Sequence, residues 1–169
     1  MPTATFRVLF VFVVLWHERR RVVQFGVTEH PTEEWTMQQM REAFSRDQAP
    51  RYVLRDRDAI YGRDFDAMTR DMGKEEVLTA ARSPWQNPFV EGWWAPSDAS
   101  AWTTLSCGTK DRLRRTLQSY FAYYQGSRTH LALGKDAPEP RAVKPPAQGR
   151  VVAIPQVGGL HHRYQRRAA

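Results

Sequence analysis

The stretch that most constrains the fold is residues 51–91, in which a short apolar segment runs directly into carboxylates. Its first four residues predict a strand, and Asp56 and Asp58 follow that strand. A loop rich in Pro and Asn, residues 83–91, then leads into a predicted helix that has Glu91 near its start. Acids at a strand end and at a helix start can converge in space. Two such carboxylates can hold divalent cations, and two cations roughly 3.5–4 Å apart stabilise both oxygens of a phosphoryl transfer.

The alternative for Asp56 is a purely local role, because a single Asp after a strand commonly forms a turn or caps a helix. Asp58 competes with Asp56 as the candidate metal ligand. We prefer Asp56 because it follows the apolar strand directly.

Two patterns stand in order along the chain. The first is S-P-x-x-N-x-x-x-E, carried by Ser83, Pro84, Asn87 and Glu91, and the second is YYQGSRTHLAL at residues 123–133, followed by Asp136, Ala137 and Pro138. They resemble the loop before the third catalytic carboxylate, and the Y-N-x-x-R-P-H-x-x-L segment with its following T-P, of the catalytic core of insertion-sequence transposases and retroviral integrases. The resemblance covers residues 6–140.

This resemblance implies a ribonuclease H-like fold and metal-dependent strand transfer, in which water or a DNA 3′-hydroxyl attacks a backbone phosphodiester in line. Asp56 and Glu91 would be the second and third catalytic carboxylates and would hold Mg²⁺ or Mn²⁺, with Asp58 as the alternative to Asp56. Asn87 would order the loop before Glu91. The implied partner is DNA, and a homo-oligomer is allowed. Two further functions stay open: a catalytically inactive nucleic-acid-binding relic of a transposase, and a free-standing ribonuclease H-like nuclease.

The start of the chain departs from that family. The family's first catalytic Asp lies on the strand before the hairpin, whereas the first Asp here is Asp47. We therefore expect a chain that is truncated at its N-terminus, lacks the first strand and the first carboxylate, and is inactive.

Residues 92–107 depart as well, since they hold no Lys or Arg and three of the six Trp. With suitable codons and one added base, the same nucleotides translate as R-L-V-G-A-I-R-R-E-C-L-D-H-V-I-V. That peptide resembles the basic helix expected after Glu91. We therefore expect residues 92–107 to be frameshifted.

Hydrophobic periodicity predicts an α/β fold, with a mixed sheet flanked by helices and parallel strands joined by right-handed crossovers. The predicted strands are residues 6–15 and 21–28, paired as a hairpin, together with 51–54 and 75–80. The predicted helices are residues 31–45, 61–72 and 111–126. We expect one integrase-core domain over residues 1–140 and an irregular, Pro-rich and basic C-terminal tail over 141–169. In that tail, residues 151–154 could form a short strand, and 158–167 are expected to be a flexible basic end.

The balance of charge favours a polyanionic partner, because 25 Lys and Arg against 18 Asp and Glu give a net charge of +7 and a pI near 10.0. The candidate DNA-binding residues are Arg112, Arg114, Arg115, Arg128, Arg163, Arg166 and Arg167. A single cysteine, Cys107, excludes a disulfide framework within one chain. The apolar run at residues 8–15 is far shorter than the ~20 residues of a membrane span, so we expect no membrane partner and a cytoplasmic location.

Overall fold

The computed structural model describes residues 8–44, 50–83, 86 and 109–168, and these contain three α-helices and three two-stranded sheets. The mixed α/β class is confirmed, whereas the ribonuclease H-like arrangement stays a prediction. The chain divides into two compact units, Met1–Leu15 with Val23–Lys110, and Trp16–Val22 with Asp111–Ala169. The predicted domain boundary after residue 140 stays a prediction. Among the described helices, none has both the length and the apolar character that a membrane span needs.

The predicted N-terminal hairpin is confirmed. Strands β1 (Phe10–Trp16) and β2 (Arg21–Thr28) pair as one two-stranded sheet, and residues 17–20 form the turn between them. Helix α1 (Glu33–Ala43) follows, and its cap is Thr32, whose hydroxyl accepts a hydrogen bond from the Trp35 amide at 3.3 Å. The Trp35 ring packs edge-on against Phe12, with centroids 6.0 Å apart. Aromatic packing therefore holds α1 against the sheet.

A parallel β–α–β unit comes next. Strand β3 (Tyr52–Arg55), helix α2 (Arg63–Asp71) and strand β4 (Glu75–Leu78) follow in order, and β3 pairs with β4 in parallel from Tyr52↔Glu75 to Arg55↔Leu78. Phe65 and Met68 are buried on α2, as its apolar spacing predicts. The helix ends before Gly73, whose φ of +70° favours glycine. Parallel strands joined by a helix are thereby confirmed.

Glu33 connects α1 to α2. Its Oε1 accepts a hydrogen bond from the Phe65 amide at 2.9 Å, in the first turn of α2. The N-cap residue of α2 is Gly62, which has no side chain to cap the helix. A Cβ at position 62 would overlap the Glu33 carboxylate. Glu33 therefore supplies the capping acceptor, and Gly62 leaves room for it.

Removing this cap should destabilise the chain. We expect Glu33→Ala and Gly62→Ala each to lower the free energy of unfolding by about 1 kcal/mol, because an orphan helix amide loses its acceptor. Urea denaturation of the unchanged chain, both single variants and the double variant measures this. Since both changes act on one contact, the double variant should lose clearly less than the sum. Fully additive losses would show that Gly62 does not serve the Glu33 cap.

The second unit is built on helix α3 (Lys110–Gly126). As predicted, one stripe of the helix is buried, and its members are Leu113, Leu117, Tyr120, Phe121 and Tyr124. The chain beyond α3 is tied to Arg19, which belongs to the same unit. The Arg19 guanidinium donates to Asp136 Oδ2 and to the carbonyls of Ala137 and Pro138, each at 2.8 Å. These three bonds fix the segment that follows the helix.

The prediction of an irregular tail with a flexible end is wrong for residues 150–167, whereas residues 141–149 contain neither strand nor α-helix. Strands β5 (Arg150–Gln156) and β6 (His161–Arg167) form an antiparallel hairpin, registered from Arg150↔Arg167 to Gln156↔His161. The predicted strand at 151–154 is confirmed and is longer. Gly158 and Gly159, at φ +67° and +92°, lie in the turn between the strands. Pro155 is tolerated because each strand of a two-stranded sheet has an open edge.

Candidate functional site

Asp56 lies directly after the carboxyl end of β3 and is exposed. Its Oδ1 accepts a hydrogen bond from the Asp58 amide at 3.2 Å, and Asp58 Oδ1 accepts one from the Ile60 amide at 3.2 Å. The structure therefore brings the two candidate aspartates together in two consecutive turns. The local turn role is present in both residues, and the metal role of Asp56 stays a prediction.

Beneath Asp56 lies a buried cation. Arg55 is 8% exposed, and its Nε donates to Glu76 Oε2 at 2.9 Å. Its Nη2 contacts the same Glu76 oxygen at 2.7 Å and Asp66 Oδ1 at 2.6 Å, while Nη1 donates to the Asp56 carbonyl at 3.1 Å. Arg55 thus joins β3, α2 and β4 and holds the backbone of Asp56.

The two strand ends are also held beyond their last residues. The Thr79 amide donates to the Arg55 carbonyl at 3.0 Å, and Arg57 Nε donates to the Thr79 carbonyl at 3.0 Å. The Arg55 backbone before Asp56 and the Arg57 side chain after it are therefore both bonded to Thr79, just beyond β4. A carboxylate on so constrained a segment has a defined position, as a metal ligand or a phosphate-site residue requires.

Tyr61 closes one side of this cluster. The Arg55 guanidinium lies 4.8 Å from the Tyr61 ring centroid, and Tyr61 packs edge-on against Phe65 with centroids 4.9 Å apart. Burial, followed by the negative charge of Asp56, raises the pKa of the Tyr61 phenol well above its ordinary value. The phenol is therefore neutral at physiological pH, and the Asp56 charge acts on it.

The metal site cannot be assembled from the described residues alone. Within them, no group of three or more His, Cys, Asp or Glu could hold a metal ion. Pro84, Asn87 and Glu91 lie outside the described residues, as does the expected frameshift at 92–107. The donor chemistry of Asp56 suits Mg²⁺ or Mn²⁺, because Mg²⁺ commonly binds one or two carboxylates and completes its shell with water and phosphate oxygens.

Strands β3 and β4 are joined by one exposed and one buried ion pair. Comparing the two tests how burial changes the contribution of an ion pair to stability. Arg51 pairs with Glu75 at 3.0 Å, with the Arg51 side chain 71% exposed, whereas the Arg55 side chain is 9% exposed. We expect Arg55→Ala to lower the free energy of unfolding by roughly 3 kcal/mol, because Glu76 is left without its partner in a buried position. Arg51→Ala should cost less than about 1 kcal/mol. Chemical denaturation of both variants measures the difference, and equal losses would contradict the anchoring role of Arg55.

The predicted DNA-binding arginines fall into two groups. Arg112, Arg114, Arg115, Arg163 and Arg167 are exposed, the first three on α3 and the others on β6. Two others make contacts within the fold. Arg128 Nη1 donates to Tyr120 Oη at 2.6 Å, and Arg166 donates to the carbonyls of Lys144 at 3.2 Å and Gly149 at 3.0 Å. Arg128 and Arg166 therefore have structural roles, and DNA contact by all seven stays a prediction.

The positive charge of the chain is concentrated near its C-terminal hairpin. Residues 141–169 hold six Lys and Arg and no Asp or Glu, so they account for six of the seven net positive charges. The preceding 140 residues are almost balanced. The electrostatic attraction for a polyanion therefore lies mainly in the segment that forms β5 and β6.

The residues of the second motif pack around the end of α3. The His130 ring lies edge-on to Tyr124 with centroids 5.1 Å apart, and the Arg128 guanidinium lies 5.8 Å from the Tyr124 ring centroid. The His130 amide also donates to the Asp136 carbonyl at 3.0 Å, in an isolated bridge. Burial, followed by the charges of Arg128 and Arg20, lowers the pKa of His130 to about 4. This motif therefore holds the chain that follows α3.

The lowered pKa of His130 predicts acid sensitivity. In the unfolded chain His130 is protonated below its ordinary pKa of 6.5, whereas in the folded chain it is protonated only near pH 4. The contribution of His130 to stability is therefore complete above pH 6.5 and is lost progressively as the pH falls to about 4. As the pH falls from 6.5 to about 4, we expect the free energy of unfolding to decrease less in His130→Gln than in the unchanged chain. Urea denaturation at several pH values measures this, with exposed His30→Gln as the control, and parallel curves for His130→Gln and the unchanged chain would contradict it.

Arg55 and Arg19 stabilise the fold, and neither role was predicted from the sequence. A signal existed for the first of them, because Arg51 precedes β3 and Arg55 ends it, while Glu75 and Glu76 open β4. Two basic residues four apart, facing two acids in a parallel pair, indicate ion pairs along that pair. No comparable local signal indicates that Arg19 bonds to residues 136–138.

Comparison of the chain with models of protein families, with curated proteins and with solved structures gives no match. Its function is therefore inferred from its own residues.

Proposed function

We propose that this chain is a core of the transposase and integrase kind that acts on DNA, with Asp56 and Glu91 as its metal-binding carboxylates. The observation that carries the proposal is the exposed carboxylate of Asp56 at the carboxyl end of β3 in a parallel β3–α2–β4 unit. In α/β sheets, ligands bind outside the carboxyl ends of the strands. The motif at residues 83–91 supplies Glu91 as the second carboxylate.

The roles follow from the chemistry of these residues. Asp56 and Glu91 would hold Mg²⁺ or Mn²⁺, and a bound cation neutralises charge on the transferring phosphoryl group and orients the attacking oxygen. Arg55 positions the Asp56 backbone through its bond to the Asp56 carbonyl. Arg57, which is exposed and bonded to the Thr79 carbonyl, brings positive charge to the same edge.

In-line transfer by three carboxylates needs all three. The 169 residues hold no Asp before Asp47, so they offer at most two of the set. A site with two metal ions depends on every ligand for the position of its ions. We therefore propose that these 169 residues by themselves bind DNA and a divalent cation without cleaving or joining the DNA.

A second candidate function is nucleic-acid binding with no metal site at all. The concentration of six positive charges and no negative charge in residues 141–169 favours it. Such binding needs phosphate contacts only, and each neutralised phosphate contributes about −0.9 to the slope of log K against log salt. Both candidates predict that DNA binding depends steeply on salt, so the response of DNA affinity to a metal ion distinguishes them.

The test is the effect of Mn²⁺ on DNA affinity, measured by fluorescence anisotropy of a labelled duplex with the purified chain. We expect Mn²⁺ to raise the affinity several-fold, because the cation would join the two carboxylates to a phosphate. Asp56→Asn and Glu91→Gln should remove this increase and keep metal-free binding. Asp58→Asn decides between the two aspartates, and exposed Asp71→Asn on α2 is the control.

Each outcome decides between the candidates. Binding that weakens with salt but does not respond to Mn²⁺ in any variant supports the second candidate and rejects the metal site. Metal-dependent nicking or strand transfer of plasmid DNA that Asp56→Asn abolishes would overturn the expectation of inactivity. No DNA binding at low salt would reject both candidates.

A further inference from the structure

The C-terminal hairpin has two chemically different faces. Because paired residues in an antiparallel sheet project to the same side, its register places Val151 with Arg166, Ala153 with Tyr164, and Pro155 with His162 on one face. We call this the outer face. The remaining pairs, from Arg150 with Arg167 to Gln156 with His161, project to the inner face.

The inner face packs within the second unit. The His161 ring stacks on Tyr123 of α3, with centroids 5.1 Å apart and planes inclined by 14°, and it lies 5.6 Å from the Tyr120 ring. Val152, Ile154 and Gln165, on the same face, are partly covered. This packing covers the inner face near the turn, whereas Arg150, Arg163 and Arg167 on the same face are exposed.

The outer face exposes aromatic rings. Tyr164 is 60% exposed and Val151 is 54% exposed, and His162 is exposed beside them. The rings of His162 and Tyr164 are neighbours, with centroids 6.5 Å apart. Ala153 and Pro155, which lie opposite these rings on β5, are small and do not cover them. Two adjacent rings are therefore open to a planar ligand.

A fixed positive charge stands beside these rings. Arg166 is two residues after Tyr164 on the same strand face, and its bonds to the Lys144 and Gly149 carbonyls hold the guanidinium in place. Residues 141–169 contain no acid that could neutralise it. The partner of this face therefore carries negative charge.

A nucleic acid with unpaired bases carries negative charge and exposes the planar faces of those bases. Bases of a single strand stack on aromatic side chains while basic residues follow the backbone. In a duplex the bases are already stacked and shielded, so rings on a strand face offer it little. A surface that enters a membrane carries bulky Trp, Phe or Leu side chains, whereas the apolar residues opposite these rings and Arg166 are only Val151, Ala153 and Pro155.

We propose that the outer face of the β5–β6 hairpin binds single-stranded nucleic acid, with unpaired bases stacking on Tyr164 and His162 and phosphates meeting Arg166. This site shares no residue with Asp56 or Glu91. The proposal goes beyond the proposed strand-transfer core, and failure of either proposal leaves the other undecided.

The test compares a labelled single-stranded oligothymidylate with a labelled duplex by fluorescence anisotropy in metal-free buffer. Tyr164→Thr removes the ring but keeps the strand preference of a β-branched residue, and we expect it to weaken oligothymidylate binding about tenfold. Its duplex affinity should stay unchanged. Tyr164→Phe should bind as the unchanged chain does, since it keeps the ring. Tyr52→Ala is the matched control, because Tyr52 is 52% exposed on β3 and lies outside the hairpin.

Circular dichroism and thermal melting of each variant establish that the fold is kept. Loss specific to the single strand in Tyr164→Thr, with retention in Tyr164→Phe and Tyr52→Ala, supports the stacking site. Unchanged oligothymidylate affinity in Tyr164→Thr overturns it, and so does an equal loss for single strand and duplex. Vesicles of phosphatidylglycerol form the last arm. Binding to these vesicles that depends on Tyr164, with no binding of oligothymidylate, would assign the face to a membrane surface instead.

Discussion

The parallel β3–α2–β4 unit depends on one buried cation. Arg55 is surrounded by Glu76 of β4, Asp66 of α2 and the rings of Tyr61 and Phe65. Removing a guanidinium from water is costly, and only this complete set of partners offsets the loss. The dependence is mutual, because Glu76 Oε1 is buried with no hydrogen-bond partner among the described residues, so that carboxylate relies on Arg55 through its other oxygen. The same guanidinium holds the Asp56 carbonyl, so one ion cluster fixes both the fold and the candidate site.

Local patterns in the sequence were sufficient for the elements and insufficient for this cluster. The buried stripe of α3 and the apolar positions of α2 repeat at helical spacing, and both helices form within two residues of their predicted ends. Arg55 was missed because a charged residue at a strand end is ordinarily exposed. Only the parallel register, which pairs Val53 with Glu76, brings its partner near. Strand β6 was missed for a different reason, since paired Gly, His and Arg residues suggest flexibility by composition and β6 shows no alternation of apolar and polar residues.

The residues of the second motif, 123–133 with 136–138, are engaged mainly in contacts within the fold. Arg128 and His130 both pack on aromatic residues of α3, and His130 bridges to Asp136. Asp136 and the two residues after it accept hydrogen bonds from Arg19. The spacing of the motif thus matches the geometry of a chain that turns back at the end of a helix. A basic residue in such a motif can be held within the fold instead of contacting a phosphate. Arg128 is an example, because its guanidinium donates to the Tyr120 hydroxyl.

The proposed nucleic-acid binding and the proposed metal chemistry place different demands on the chain, and the C-terminal hairpin and Asp56 lie in different units. Attraction to a polyanion sums over many charges, so it survives the loss of any one residue. Metal-dependent transfer would need each carboxylate in a fixed position, because every ligand positions the metal ions. Six of the seven net charges lie in residues 141–169, whereas Asp56 belongs to the nearly neutral remainder. The residues proposed for nucleic-acid binding and those proposed for metal binding are therefore not shared, so substitutions can test the two proposals separately.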